Sequence, residues 1–180
     1  MSRTLLLHDS LEFQDRFLPD RLALRDGERT WTYGHLNREA ERVADVLVAA
    51  GMGPGDRVGV LAANCLEYYA WYYGTAKAGV VIVPLNTRLA PPEWAYILND
   101  SGAKLLAARG DLVAPADGVR GDLTSVTEFL AFDADAPDGW HDLAPRLEAA
   151  PARPVPEAPL DPDEPVVQMY TSGTTGRPKG

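Results

Sequence analysis

At 180 residues the chain has the length of about one domain, and with 46% hydrophobic residues it has enough material for a core without covalent staples. A single cysteine, Cys65, excludes an intramolecular disulfide, and three scattered histidines (His8, His35 and His141) do not make a structural metal cage. Lys and Arg number 17 against 26 Asp and Glu, and the resulting net charge of −9 argues against nucleic acid as a partner.

The amino terminus, Met1 to Asp9, has too few apolar residues for a secretory signal, and runs such as Gly79 to Leu85 are far below the roughly 20 residues that span a bilayer. The expectation is a cytoplasmic protein with no membrane span. Ala23 to Trp31 reads as a hairpin around Asp26-Gly27. Thr32 is placed to N-cap a helix with Leu36, Ala40, Val43, Ala44 and Leu47 on one face, and Gly51 suits the left-handed position that ends it. Arg57 to Leu61 is a compact strand. Leu66 to Ala78 has helical length, and Tyr68, Tyr69, Trp71, Tyr72 and Tyr73 are expected to pack against a sheet rather than line a ligand pocket. Cys65 reads as a packing residue at the start of that helix, and Gly79 closes it.

Val80 to Val83 is β-branched and reads as an interior strand ended by Pro84. A helix begins near Pro92, turns Trp94, Ile97 and Leu98 inward and stops at Gly102, before a strand at Lys104 to Ala108. From Gly110 to Asp122, Pro115, Gly118 and Gly121 leave room for a short helical turn at most. Ser125 to Phe132 is expected to return to the sheet, and His141 to Ala150 to form one more short helix. His35 reads as a surface residue, and Asp133, Asp135 and Asp138 as a solvated loop with no metal. The alternation gives an α/β fold, a mostly parallel sheet flanked by helices. The expected organisation is an α/β subdomain over 1–150, a stiff proline-rich linker over 151–165, and a strand with a phosphate-binding loop over 166–180, opening a segment that continues past this chain.

The chemistry lies at the end of the chain, where the strand candidate Pro165 to Tyr170 runs into Thr171-Ser172-Gly173-Thr174-Thr175-Gly176-Arg177-Pro178-Lys179-Gly180. Small residues let consecutive N–H groups converge, four hydroxyls add rotatable donors, and Arg177 and Lys179 add positive charge. Such a loop is suited to an anion, and phosphate oxygens fit it best. A flexible tail would share the composition, but not the apolar run before it or the cations at its end. The kinase and GTPase phosphate loop is excluded, because Pro178 stands where its second glycine is required. The dinucleotide fingerprint Gly-x-Gly-x-x-Gly is absent from this stretch.

Tyr170 to Gly180 resembles the signature of the adenylate-forming superfamily, which includes acyl-CoA synthetases, peptide-synthetase adenylation domains and beetle luciferases. Trp31-Thr32-Tyr33-Gly34-His35-Leu36-Asn37 is similar to that family's early Thr-Tyr-x-x-Leu segment, and Lys77-Ala78-Gly79 through Asn86 to its Lys-Ala-Gly strand. Asn86 to Leu89 and Tyr96 to Lys104 look most like the acyl-CoA synthetase branch, and the resemblance covers about residues 10–180. It implies the first part of a large amino-terminal domain, and a ligase that joins a carboxylic acid to CoA through an acyl-adenylate, consuming ATP. It further implies that Thr171, Ser172, Gly173, Thr174, Thr175, Gly176 and Lys179 hold the β- and γ-phosphates, while the position of Arg177 is variable. The magnesium-binding glutamate, the ribose-binding aspartate and the lysine used for adenylation are expected beyond this chain, in the remainder of the same polypeptide. The 180 residues alone are therefore expected to complete no reaction. Two alternatives stand beside this reading: an adenylation domain loading a carrier-protein thiol, and a non-catalytic module that binds nucleotide or serves assembly.

Overall fold

The computed structural model describes residues 6–152, 160–171 and 179–180. The chain divides into two compact units, one comprising Met1–Gly55, Asn64–Val80 and Leu147–Val166, the other Asp56–Ala63, Val81–Arg146 and Val167–Gly180.

The first unit is built on helices and a hairpin. Strands β1 (Leu22–Asp26) and β2 (Arg29–Thr32) pair antiparallel with Asp26 opposite Arg29, and Gly27 takes the positive φ that so tight a turn requires. Helix α2 (Tyr33–Ala49) starts where Thr32, in extended backbone, accepts the His35 N–H on its Oγ1 at 3.2 Å. Its inward residues Leu36, Ala40, Val43, Ala44 and Leu47 are all buried, and the helix packs on α3 (Leu66–Ala78). That approach is close, because a Cβ added at Gly74 would stand 2.7 Å from both the Ala40 carbonyl oxygen and the Val43 Cβ. Cys65 is buried at the N-cap of α3, and Gly79 ends the helix at φ +70°.

Two expectations for this unit are corrected. Of the five aromatics on α3 only Trp71 is buried; Tyr69 is exposed, Tyr68, Tyr72 and Tyr73 are intermediate, and the buried face is supplied largely by small residues such as Ala70, Gly74, Thr75 and Ala78. Close helix packing favours a face without rings, which is why the large side chains turn aside. Residues Asp9–Phe17, for which no element is predicted, form helix α1 with Leu11 as its buried residue.

The second unit is a five-stranded parallel sheet in the order β4-β3-β5-β6-β7: β3 (Arg57–Leu61), β4 (Val81–Pro84), β5 (Leu105–Arg109), β6 (Glu128–Phe132) and β7 (His141–Asp142). Helix α4 (Pro91–Ser101) buries Trp94, Ile97 and Leu98 in a core shared with Leu61, Val83, Leu106 and Phe129. It ends at Gly102, φ +64°. The stretch expected to hold little helix contains a 3-10 turn at Gly110–Leu112, α5 (Val113–Asp117) and a second 3-10 turn at Arg120–Asp122. The helix expected from His141 begins two residues later as α6 (Leu143–Ala149).

Strand β4 is a correction of another kind. Val81, Ile82 and Val83 are buried as interior-strand residues would be, yet β4 stands at the end of the sheet order. Its outer side takes one parallel bridge, Ile82 with Val167, in which the Gln168 N–H donates to the Ile82 carbonyl at 2.9 Å. The strand expected over Pro165 to Tyr170 is reduced to that bridge. Asp133, on the loop expected to be solvated, pairs with Arg109 at 2.6 Å. Of the predicted linker, 151–152 and 160–165 are among the described residues. No helix among the described residues is long and apolar enough to cross a membrane.

Candidate functional site

The sequence places its site residues on Thr171 to Lys179. Ser172, Gly173, Thr174, Thr175 and Gly176, with Arg177, lie outside the described residues. Thr171 and Lys179 are described, and the fold brings them together. They form an antiparallel bridge in which each N–H donates to the other's carbonyl at 3.0 Å, and both residues are exposed. The backbone N–H groups of these two residues are thus committed to each other. What they can offer an anion is the Thr171 hydroxyl and the Lys179 ammonium.

The chain entering this bridge is held by Tyr170. Its hydroxyl donates to Asp100 Oδ2 at 2.6 Å and accepts from Gln168 Nε2 at 3.2 Å, and its ring packs against the core beneath α4. Burial, followed by the hydrogen bond to the Asp100 carboxylate, pushes the hydroxyl above its ordinary value. On the leaving side, a Cβ added at Gly180 would fall 2.6 Å from the same ring. Asp100 lies in the last turn of α4, where Arg57 Nε donates to the Ser101 carbonyl at 2.7 Å. Sequence reasoning did not connect Asp100 to the site. Its signal is an acid at a helix C-terminus, where the dipole repels negative charge and some partner is required.

The other segments of the resemblance are structural. Thr32 is the cap of α2, and the Trp31 ring stacks on His35 with centroids 4.7 Å apart. Lys77 and Ala78 close α3, as read from the sequence, and the strand of that segment begins at Val81. Lys77 is fully buried, its ammonium 2.5 Å from Glu12 Oε1 and 3.9 Å from Glu41 Oε1. Burial raises the Glu41 carboxyl above its usual range, against the opposing pull of Lys77. Burial, with Lys77 next, holds His8 below its ordinary value. A cavity of about 260 Å³ in the first unit, bounded by His8, Pro54, Ala76, Leu160 and Glu164 among others, contains none of the residues the sequence selects. Among the described residues there is no cluster of three or more His, Cys, Asp or Glu side chains placed to hold a metal.

A family model described as AMP-binding enzyme matches residues 11–180. The chain belongs to the AMP-binding enzyme family. Among relatives in this family, the long-chain-fatty-acid–CoA ligase FadD13 of Mycobacterium tuberculosis is 41% identical over 152 residues, covering 83% of this chain and 28% of that protein. The fatty acid–[acyl-carrier-protein] ligase ScoC of Streptomyces coeruleorubidus is 39% identical over 160 residues, covering 84% of this chain and 28% of that protein. The crystal structure of the anthranilate CoA ligase AuaEII in complex with anthranoyl-AMP superposes with a TM-score of 0.90 at 27% identity, over 100% of this chain and 35% of that one. The chain therefore spans about a third or less of the AMP-binding enzymes it resembles, and it corresponds to an amino-terminal portion of them.

Proposed function

We propose that the chain supplies the phosphate-gripping portion of an ATP-dependent acid–thiol ligase. One observation carries the reading: Thr171 and Lys179 are bridged, so the hydroxyl- and glycine-rich stretch between them is bracketed at its base with an ammonium at one end. In the first step a carboxylate oxygen attacks the α-phosphorus of ATP. The bond from that phosphorus to the β-bridging oxygen breaks, and pyrophosphate leaves with the electron pair. Negative charge grows on the departing group, and donors already aimed at it lower the barrier without reorganising. The hydroxyls of Thr171, Ser172, Thr174 and Thr175 act as donors, Gly173 and Gly176 permit the bend, and Lys179 is a point charge. In the second step the sulfur of CoA attacks the acyl carbon, its proton passes to solvent, and AMP leaves with the acyl-oxygen electrons. Magnesium, which would supply charge neutralisation to the triphosphate, takes its ligands in this reading from residues outside these 180, and the ligase works in the cytoplasm on a small-molecule carboxylic acid.

The similarity to FadD13 supports CoA as acceptor. The similarity to ScoC supports a second reading, in which the thiol belongs to a carrier protein. Binding of ATP, inorganic tripolyphosphate and adenosine to the 180-residue chain tests the shared first step. ATP and tripolyphosphate are expected to bind and adenosine to bind far more weakly. Lys179→Ala should weaken ATP binding by about tenfold or more, as loss of a charge-assisted contact does, with an unmoved thermal midpoint because the side chain is exposed. Equal ATP affinity in that variant overturns the assignment of Lys179.

A further inference from the structure

We infer that Asp100 and Tyr170 form a clamp that sets the base of the phosphate-binding loop, making both of them positioning residues for the reaction. The inference rests on the reading of Thr171 to Lys179 as that loop, and it adds two side chains which neither the motif's composition nor its glycines require.

Three observations converge. Tyr170 is covalently next to Thr171, and its ring also lies against Gly180, which is covalently next to Lys179; one residue is therefore joined to one arm of the bridge and packed beside the residue that follows the other. The hydroxyl of that side chain is fixed from 70 residues away, by the 2.6 Å hydrogen bond to Asp100. Asp100 in turn belongs to α4, which is anchored in the core through Trp94, Ile97 and Leu98. Rigidity passes from the core through α4 and a short hydrogen bond to a loop base whose own residues are exposed.

The chemistry of Asp100 explains why the contact is specific. A carboxylate in the last turn of a helix faces the negative end of the dipole, and Arg57 Nε binds the Ser101 carbonyl of the same turn. A phenol proton delivered at 2.6 Å compensates that charge. Gln168 donates to the same phenol oxygen from the other side, so the hydroxyl's orientation is fixed toward Asp100. Tyr170 accordingly acts as a donor with one available direction. Replacing it by phenylalanine keeps the ring against Gly180 and the core while removing the tie to α4 and the longer contact from Gln168.

Two measurements on the 180-residue chain test the clamp: calorimetric titration with inorganic tripolyphosphate, and amide hydrogen exchange at Thr171 and Lys179 without ligand. Tyr170→Phe and Asp100→Ala should each weaken tripolyphosphate binding about tenfold and speed exchange at both amides. The double variant should lose no more than either single, because the two side chains make one contact. Asp100→Asn, which keeps an acceptor oxygen, should recover binding to within about threefold of wild type, a rescue that general destabilisation would not produce. Wild-type binding and exchange in Tyr170→Phe, or losses that add in the double variant, overturn the inference. If the wild-type chain binds no tripolyphosphate, the phosphate reading fails, and the exchange rates alone still decide whether the clamp exists.

Discussion

Lys77 shows how one residue can look like machinery and act as structure. It is fully buried with Glu12 and Glu41 as its carboxylate partners, and neither its position nor theirs belongs to the loop read as the phosphate site. Removing the ammonium leaves Glu41, 14% exposed, without its cation, while Glu12, 45% exposed, stays hydrated, so the cost is about 1–2 kcal/mol, below that of a fully buried pair. Lys77→Met should therefore lower the urea midpoint clearly at pH 7.5. The loss should shrink at pH 5, and the sign follows from two groups. Glu41 is raised in the folded state, so the folded chain takes up a proton there before the unfolded chain does; its charge penalty is present in full at neutral pH and fades as pH falls toward its ordinary value of 4.5. His8 is lowered in the folded state, so stability is lost as pH falls below its ordinary value of 6.5; Lys77 contributes to that lowering, and the variant escapes part of it. Equal losses at the two pH values would refute this account.

Among elements, the contact of α2 with α3 is set by a missing side chain. The Cβ of an alanine at Gly74 would meet a backbone carbonyl at 2.7 Å, so the helices must separate rather than a flexible tip turning aside. Gly74→Ala should cost about 1–3 kcal/mol in urea unfolding, whereas Gly121→Ala, with nothing near its Cβ and no positive φ, should stay within about 0.5 kcal/mol. A neutral Gly74→Ala would mean that the helices approach less closely than described. Elements whose causes are local were legible in the sequence: the 3.6-residue period of Leu36, Ala40, Val43 and Leu47, the Thr32 cap, and the stops at Gly51, Gly79 and Gly102 all appear as read. Helix α1 was not legible, because Asp9–Phe17 shows one buried residue and gains a tertiary partner through Glu12 and the distant Lys77. The aromatics of α3 misled for a related reason: periodicity shows that large rings recur, not that the facing helix leaves them no room.

At the scale of the whole molecule the sheet's parallel character followed from alternating strands and helices, but the order of its strands did not. Burial of Val81, Ile82 and Val83 is the same whether β4 sits inside the sheet or at its end, so composition could not separate the two. The candidate site divides likewise. Thr171 and Lys179 were visible as a motif, while the tie from Tyr170 to Asp100 closes across 70 residues, and an acid at a helix C-terminus signals that a partner is needed without saying which. The chain covers 28% of the FadD13 relative, and the proposed ligand contacts reach only the leaving phosphates. Incubated with ATP, magnesium and a fatty acid, the 180 residues should bind nucleotide and release no pyrophosphate; steady release in a coupled phosphate assay would contradict that division of labour.

The order β4-β3-β5-β6-β7 also bears on how the sheet is born. As the polypeptide leaves the ribosome, β3 emerges first, β4 settles on one flank of it, β5 on the other, and β6 and β7 then add outward one after another. Each arriving strand meets a neighbour already synthesised, so the sheet can accrete in the direction of translation. Parallel pairing is slow because every addition must wait for its crossover. Only the outer side of β4 is left to wait, for Val167 and the Gln168 N–H that reach Ile82 last.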